Sequence, residues 1–126
     1  IKVHLQITDI EYAELQKKLD AGEITLIDVR NPGELIRDGR IPYAKNVVLM
    51  SLGGTMMLSP EEYEARLGFK KPELDSPIAV MCLAGIRSLT AQCALKGIGY
   101  TNIRKYKGSF EDWVNQGGLV EYTKEK

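Results

Sequence analysis

The 126-residue sequence is poor in the groups that build metal centres and disulfide scaffolds. It holds one histidine and two cysteines. His4 stands near the start with no companion ligands, so no metal site is expected. Cys82 and Cys93 lie eleven positions apart with a predicted helix between them, which separates them by about 16 Å along its axis. That is beyond disulfide reach and fits a reducing compartment, cytoplasmic or mitochondrial. No apolar run approaches the roughly 20 residues that a membrane-spanning helix needs. There is no excess charge of either sign: seventeen basic residues balance seventeen acidic ones. Neither a nucleic-acid nor a membrane partner is therefore expected. No secretory core is present. The chain begins at Ile1 rather than methionine and is expected to be trimmed, which leaves a removed targeting segment open.

What is present is an ordinary globular balance, 44% hydrophobic and 27% charged, in a length that suits one domain over residues 1–126. Short β-branched runs alternate with helical patterns, the rhythm of an α/β domain with a mostly parallel sheet. Thr8 and Asp9 ahead of Tyr12, Leu15 and Leu19 predict a capped helix that Ala21 and Gly22 end. Strands are expected at 25–29, 46–49, 78–82 and 103–106. A brief helix is expected through 34–37. Ser59, Pro60 and two glutamates start a further helix, which runs to Leu67 and stops at Gly68. Residues 50–58, with Gly53 and Gly54, read as a loop forming a pocket wall, a partner surface or ordinary packing. Residues 88–96 read as a helix with Leu89, Cys93 and Ala94 inward, closed by Gly97. Gly108 turns the chain into a last helix carrying Phe110, Trp113 and Val114.

The informative stretch is Cys82-Leu83-Ala84-Gly85-Ile86-Arg87-Ser88. A cysteine ends a buried strand, and a short glycine-bearing loop leads into a helix. Sites in open α/β sheets lie beyond the carboxyl ends of the strands. Backbone N–H groups and the helix dipole there stabilise an anion. Gly85 permits a conformation that side chains obstruct. Arg87 adds a permanent charge, or serves as a surface residue or in a salt bridge to a strand-end acid such as Asp28. Such surroundings lower a thiol pKa and make Cys82 a nucleophile.

This loop resembles the active-site loop of the single-domain rhodanese-like (thiosulfate sulfurtransferase) family, usually Cys-Arg-x-Gly-x-Arg followed by a small residue. Other landmarks of that family occur in order. Asp28-Val29-Arg30 is similar to its acidic strand end. Residues 39–46 are similar to Gly-His-Ile-Pro-Gly-Ala-x-Asn, residues 99–103 to Gly-Tyr-x-Asn-Val, and residues 108–113 to Gly-Gly-x-x-x-Trp. The likeness spans about residues 8–118.

The resemblance implies a central parallel sheet of about five strands flanked by helices on both faces. It implies a sulfurtransferase that moves a sulfane sulfur from thiosulfate or a persulfide donor to a thiol such as glutathione or a protein thiol, or to cyanide. The sulfur travels as a persulfide on Cys82. The backbone of Leu83, Ala84, Gly85, Ile86, Arg87 and Ser88 forms the anion cradle. No cofactor is implied, and a monomer is expected. A sulfur-relay carrier with a protein partner, or a non-catalytic binding module, is the alternative. Phosphatases and arsenate reductases use a loop one residue longer, which disfavours them.

Leu83, Arg40, Tyr43 and Ser109 depart from the family pattern, and Leu83 removes one cationic contact for a thiosulfonate donor. Asp28 and Arg30 are expected beneath the loop as structural support. Trp113 is expected in the core or as a shield over the persulfide. Cys93 is expected in the core. Lys105 and Lys107 are expected as a solvated strand end, or as an attractor for an anionic donor.

Overall fold

Four apolar residues in extended conformation, Ile78–Met81, form a strand (β3) buried along its whole length. Such a strand must be covered on both faces. In the computed structural model, which describes residues 9–122, it pairs in parallel with β1 (Thr25–Asp28) on one side and β4 (Ile103–Lys105) on the other. A two-residue strand, β2 (Lys45–Asn46), lies outside β1, giving the order β2-β1-β3-β4. Among the described residues the sheet therefore has four strands rather than about five. Beyond β4 the described residues add a parallel bridge from Asp9 to Lys105, with Ile10 N–H donating to Lys105 O. Asp9 is engaged there rather than at a helix cap; Thr8, like His4, lies outside the described residues.

Strand alternation sorts the core into two halves. Ile27, Ile78 and Val80 face Leu52 and Met56 of α3 (Leu49–Met56), Tyr63 of α4 (Pro60–Leu67), and Ala91 and Leu95 of α5 (Ile86–Ile98). Leu26, Ala79 and Met81 face Leu15 and Leu19 of α1 (Tyr12–Asp20), and Phe110 and Trp113 of α6 (Ser109–Asn115). Helices thus flank both faces, as period-two side-chain direction requires.

Several local expectations need correction. Residues 50–58 are not a loop, because α3 occupies most of them and buries Leu52 and Met56. The two mid-helix glycines, Gly53 and Gly54, are tolerated because tertiary packing outweighs their poor propensity. The strand expected at 46–49 is shorter and earlier, since Val48 already caps α3. Helix α5 begins at Ile86, passes through Gly97 and ends at Ile98, with Gly99 as its cap. Its inward stripe is Ser88, Ala91, Gln92 and Leu95. Leu89 is half exposed at 49%, and Cys93 is exposed rather than in the core. Polar Ser88 and Gln92 can face inward because Ser88 Oγ donates to Gly85 O at 2.9 Å and Gln92 Nε2 donates to Ile103 O at 3.3 Å.

Candidate active site

Cys82 is the first residue past β3, and its main chain is pinned by the far end of the domain. Its N–H donates to Ser109 Oγ at 3.1 Å, and its carbonyl accepts from Phe110 N–H at 3.0 Å. One residue on, Leu83 O accepts from Glu111 N–H at 3.0 Å. The loop then closes at Gly85, which caps α5 with φ of 110°. Any side chain here is strained, and an added Cβ meets the carbonyl oxygen of Lys107. Glycine is required twice over, by conformation and by this close approach.

The thiol sulfur is buried inside the turn. Gly85 N–H donates to Cys82 Sγ at 3.1 Å, and Ser109 Oγ lies 3.7 Å away. Burial alone pushes this thiol up. The Ser109 hydroxyl, the Gly85 amide, and the amide and hydroxyl of Ser88 together outweigh it, so the pKa falls below the ordinary value. Ser109 has a single hydrogen, which Tyr106 O attracts at 2.9 Å with the thiol neutral. Ionisation makes Sγ the stronger acceptor and draws that hydrogen toward it. The site stabilises a thiolate, the reactive form of cysteine.

Of the expected cradle residues, Gly85 donates its amide to the sulfur, and Ser88 at the start of α5 helps to lower the thiol's pKa. Leu83 is half-buried and packs against the α1/α6 side of the core, while Ala84 and the 83%-exposed Ile86 form the outer wall. Arg87 does not reach Asp28. Its guanidinium grips Glu34 of α2 (Pro32–Asp38) with two hydrogen bonds, Nη1 to Oε2 at 2.7 Å and Nη2 to Oε1 at 2.8 Å. Glu34 also accepts from Asn31 N–H at 2.9 Å, so one carboxylate ties the start of α2 to the start of α5. The guanidinium beside it holds Glu34 down at about 2, against the cost of burial.

Asp28 and Arg30 sit beneath, both fully buried, joined at 2.7 Å. Arg30 also donates to Gly39 O at 3.0 Å and lies 4.2 Å from the Phe110 ring centroid. A cation and an anion out of water persist when paired in this way. Trp113 is buried and donates its indole N–H to Leu119 O at 2.8 Å. Lys105 pairs with Asp9 at 3.6 Å. An open cleft of about 760 Å³ runs between α2 and α6 beside Leu83. Phe110 and Val114 supply apolar wall, and Arg37, Asp38 and Glu111 supply charge.

Two site residues escaped the sequence reading. Glu34 gave no signal beyond its place in a first helical turn. Ser109 stood where the family pattern has its second glycine, and it adopts a φ of 59°. A serine in a glycine position is itself the clue, because the strain of that backbone has to be offset by contacts.

The fold and the cysteine loop define a rhodanese-type domain, and the comparisons agree. The sequence model of the rhodanese-like domain matches residues 11–116, and the chain belongs to that family. It is 31% identical over 108 residues to a human thiosulfate:glutathione sulfurtransferase, covering 85% of this chain and 93% of that protein. A fission-yeast (Schizosaccharomyces pombe) protein, a putative mitochondrial thiosulfate sulfurtransferase, is 36% identical over 115 residues, covering 90% and 80%. Among solved structures, the human single-domain sulfurtransferase TSTD1 superposes with a TM-score of 0.82 at 29% identity, covering 86% of this chain and 96% of that one.

Proposed function

We propose that Cys82 is the sulfur carrier of a rhodanese-type sulfurtransferase acting on thiosulfate or a related donor. The Cys82 thiolate attacks the outer sulfur of thiosulfate. The sulfur–sulfur bond to the sulfonate breaks and sulfite leaves with the bonding electron pair. The product is a Cys82 persulfide anion, which needs the same donors as the thiolate. An acceptor thiolate then attacks the outer sulfur. It departs as a new persulfide and regenerates the Cys82 thiolate; cyanide in the same role yields thiocyanate. Each half-reaction moves one sulfur, and no external oxidant or reductant enters.

The observation that carries this reading is a strand-end thiol buried within a turn whose Gly85 amide points at it from 3.1 Å. The Ser88 and Ser109 groups add to that stabilisation. The cleft beside Leu83 offers an approach for a small thiol such as glutathione. The chain acts as one domain, a monomer, in a reducing compartment; the name of the fission-yeast relative favours mitochondria over the cytoplasm. No described helix is long and apolar enough to cross a membrane.

A sulfur-relay role toward a protein thiol is favoured by one feature, the apolar side chain of Ile86, 83% exposed on the loop itself. Intact mass after incubation with thiosulfate and desalting tests the proposal, with Cys82→Ser alongside. A gain of one sulfur, reversed by cyanide and missing from the variant, is expected. Loading only by a protein persulfide shifts the reading to relay, and loading by neither leaves a binding module.

A further inference from the structure

Thiosulfate carries two negative charges, yet the cations expected to meet it are engaged elsewhere. Leu83 stands where the family pattern has an arginine. Arg87 is gripped by Glu34 at 2.7 Å, Arg30 by Asp28 at 2.7 Å, and Lys105 by Asp9 at 3.6 Å. On the cleft side, Arg37 is paired with Asp38 at 2.8 Å. Each positive charge is largely cancelled by its neighbour before a donor arrives.

Lys107 is the exception. Its carbonyl is the surface on which Gly85 packs, and its Cγ lies 3.8 Å from the position a Gly85 Cβ would take. The stem of Lys107 therefore starts alongside the residue whose amide holds Sγ. Three more bonds carry the ammonium outward from there. Lys107 is exposed and has no ion pair among the described residues. Its position is fixed from both sides, by the following Gly108-Ser109 turn and by β4 before it. An unpaired, exposed ammonium on a stem that starts beside an anion cradle attracts an anion without itself having to be desolvated.

We infer that Lys107 is the donor-binding cation of this site: it holds the sulfonate end of an anionic sulfur donor while Cys82 takes the outer sulfur. The inference rests on the sulfurtransferase reading and adds a residue that selects anionic over uncharged donors. Lys107 forms and breaks no covalent bond. It favours entry of the dianion, and sulfite leaves past it as the sulfur–sulfur bond breaks.

Two readouts test this in a Cys93→Ser background, which removes the exposed second thiol. In the first, steady-state transfer from thiosulfate is compared for Lys107, Lys107→Gln, Lys107→Glu and Lys107→Arg, with Lys17→Gln on the distant α1 as control. One charge near a dianion at a wet surface is worth about tenfold in binding at low salt. Lys107→Gln is expected to raise the thiosulfate KM about tenfold with kcat nearly unchanged. Lys107→Glu should raise it further, Lys107→Arg should stay within about twofold of the parent, and the gap should shrink as salt is added.

The second readout needs no sulfur transfer. Cys82 is alkylated with iodoacetate, an anion, and with iodoacetamide, which is uncharged. The iodoacetate-to-iodoacetamide rate ratio is expected to fall several-fold in Lys107→Gln and further in Lys107→Glu. An unchanged ratio and KM overturn the inference, and so does an equal loss with both reagents, which marks a loop that has merely shifted. If the parent accepts no sulfur although its alkylation ratio responds to Lys107, the sulfurtransferase reading fails while the anion preference stands.

Discussion

Replacing Glu34 by glutamine isolates the clamp between α2 and α5. The carboxylate bonds both Arg87 nitrogens and the Asn31 amide, and Arg87 is the larger reason that its pKa sits at about 2 rather than 4.5. A depression of that size corresponds to about 3 kcal/mol of folding stability at neutral pH. The Arg87 side chain is 32% exposed and Glu34 14%, so solvent screening lowers the expected value to about 1–2 kcal/mol. The folded-state pKa lies below the unfolded one, so this contribution is complete above about pH 5. It declines as acid protonates the folded carboxylate and is a few tenths of a kcal/mol near pH 2. Urea unfolding of the parent and Glu34→Gln at pH 7, 4 and 2.5 measures it. The parent should be more stable by 1–2 kcal/mol at pH 7, with the difference closing below pH 4. A difference that persists unchanged at pH 2.5 refutes the electrostatic account and assigns the loss to packing. No difference at pH 7 refutes the clamp altogether.

The loop itself supplies two further expectations. Gly85→Ala forces a Cβ onto the Lys107 carbonyl at a φ of 110° and should cost about 2–3 kcal/mol, read as a fall in Tm, with sulfur loading of Cys82 nearly abolished. Ser109→Ala leaves the Cys82 N–H without its partner, a loss of about 1–3 kcal/mol, while the Tyr106 carbonyl keeps the backbone N–H of residue 109. The same substitution should raise the Cys82 pKa, visible as an iodoacetamide pH profile displaced to higher pH. Ser109→Gly relieves the φ of 59° yet should show the same displacement, which separates the hydroxyl's effect from backbone strain.

The sequence was most readable where one physical demand dominated. The Ile78–Met81 run has to be a central strand because no other element hides four successive apolar side chains. The Ser59-Pro60 helix start is equally direct: Ser59 Oγ accepts from Glu62 N–H at 3.2 Å, and Gly68 ends the helix in the left-handed region. Asp28 and Arg30 were legible as support beneath the loop, and they form a buried pair.

Legibility failed where tertiary contacts overrode local preference. In α3, Gly53 and Gly54 conceal a helix that exists because Leu52 and Met56 find a core. In α5, hydrophobicity placed Leu89 and Cys93 inside, whereas hydrogen bonds made by Ser88 and Gln92 decide the phase. For Arg87 the pattern supplied the charge but not its partner. Glu34 lies fifty-three positions away, and nothing local links the two.

Cys82 depends on residues that come later in the sequence. Cys82 donates its N–H to Ser109 and accepts from Phe110 N–H, and Gly85 rests on Lys107. During synthesis, Cys82 leaves the ribosome twenty-seven residues ahead of Ser109. A nascent chain stopped before Lys107 lacks both the Ser109 hydroxyl and the carbonyl on which Gly85 rests. The reactive form of the thiol therefore waits on the 107–110 segment.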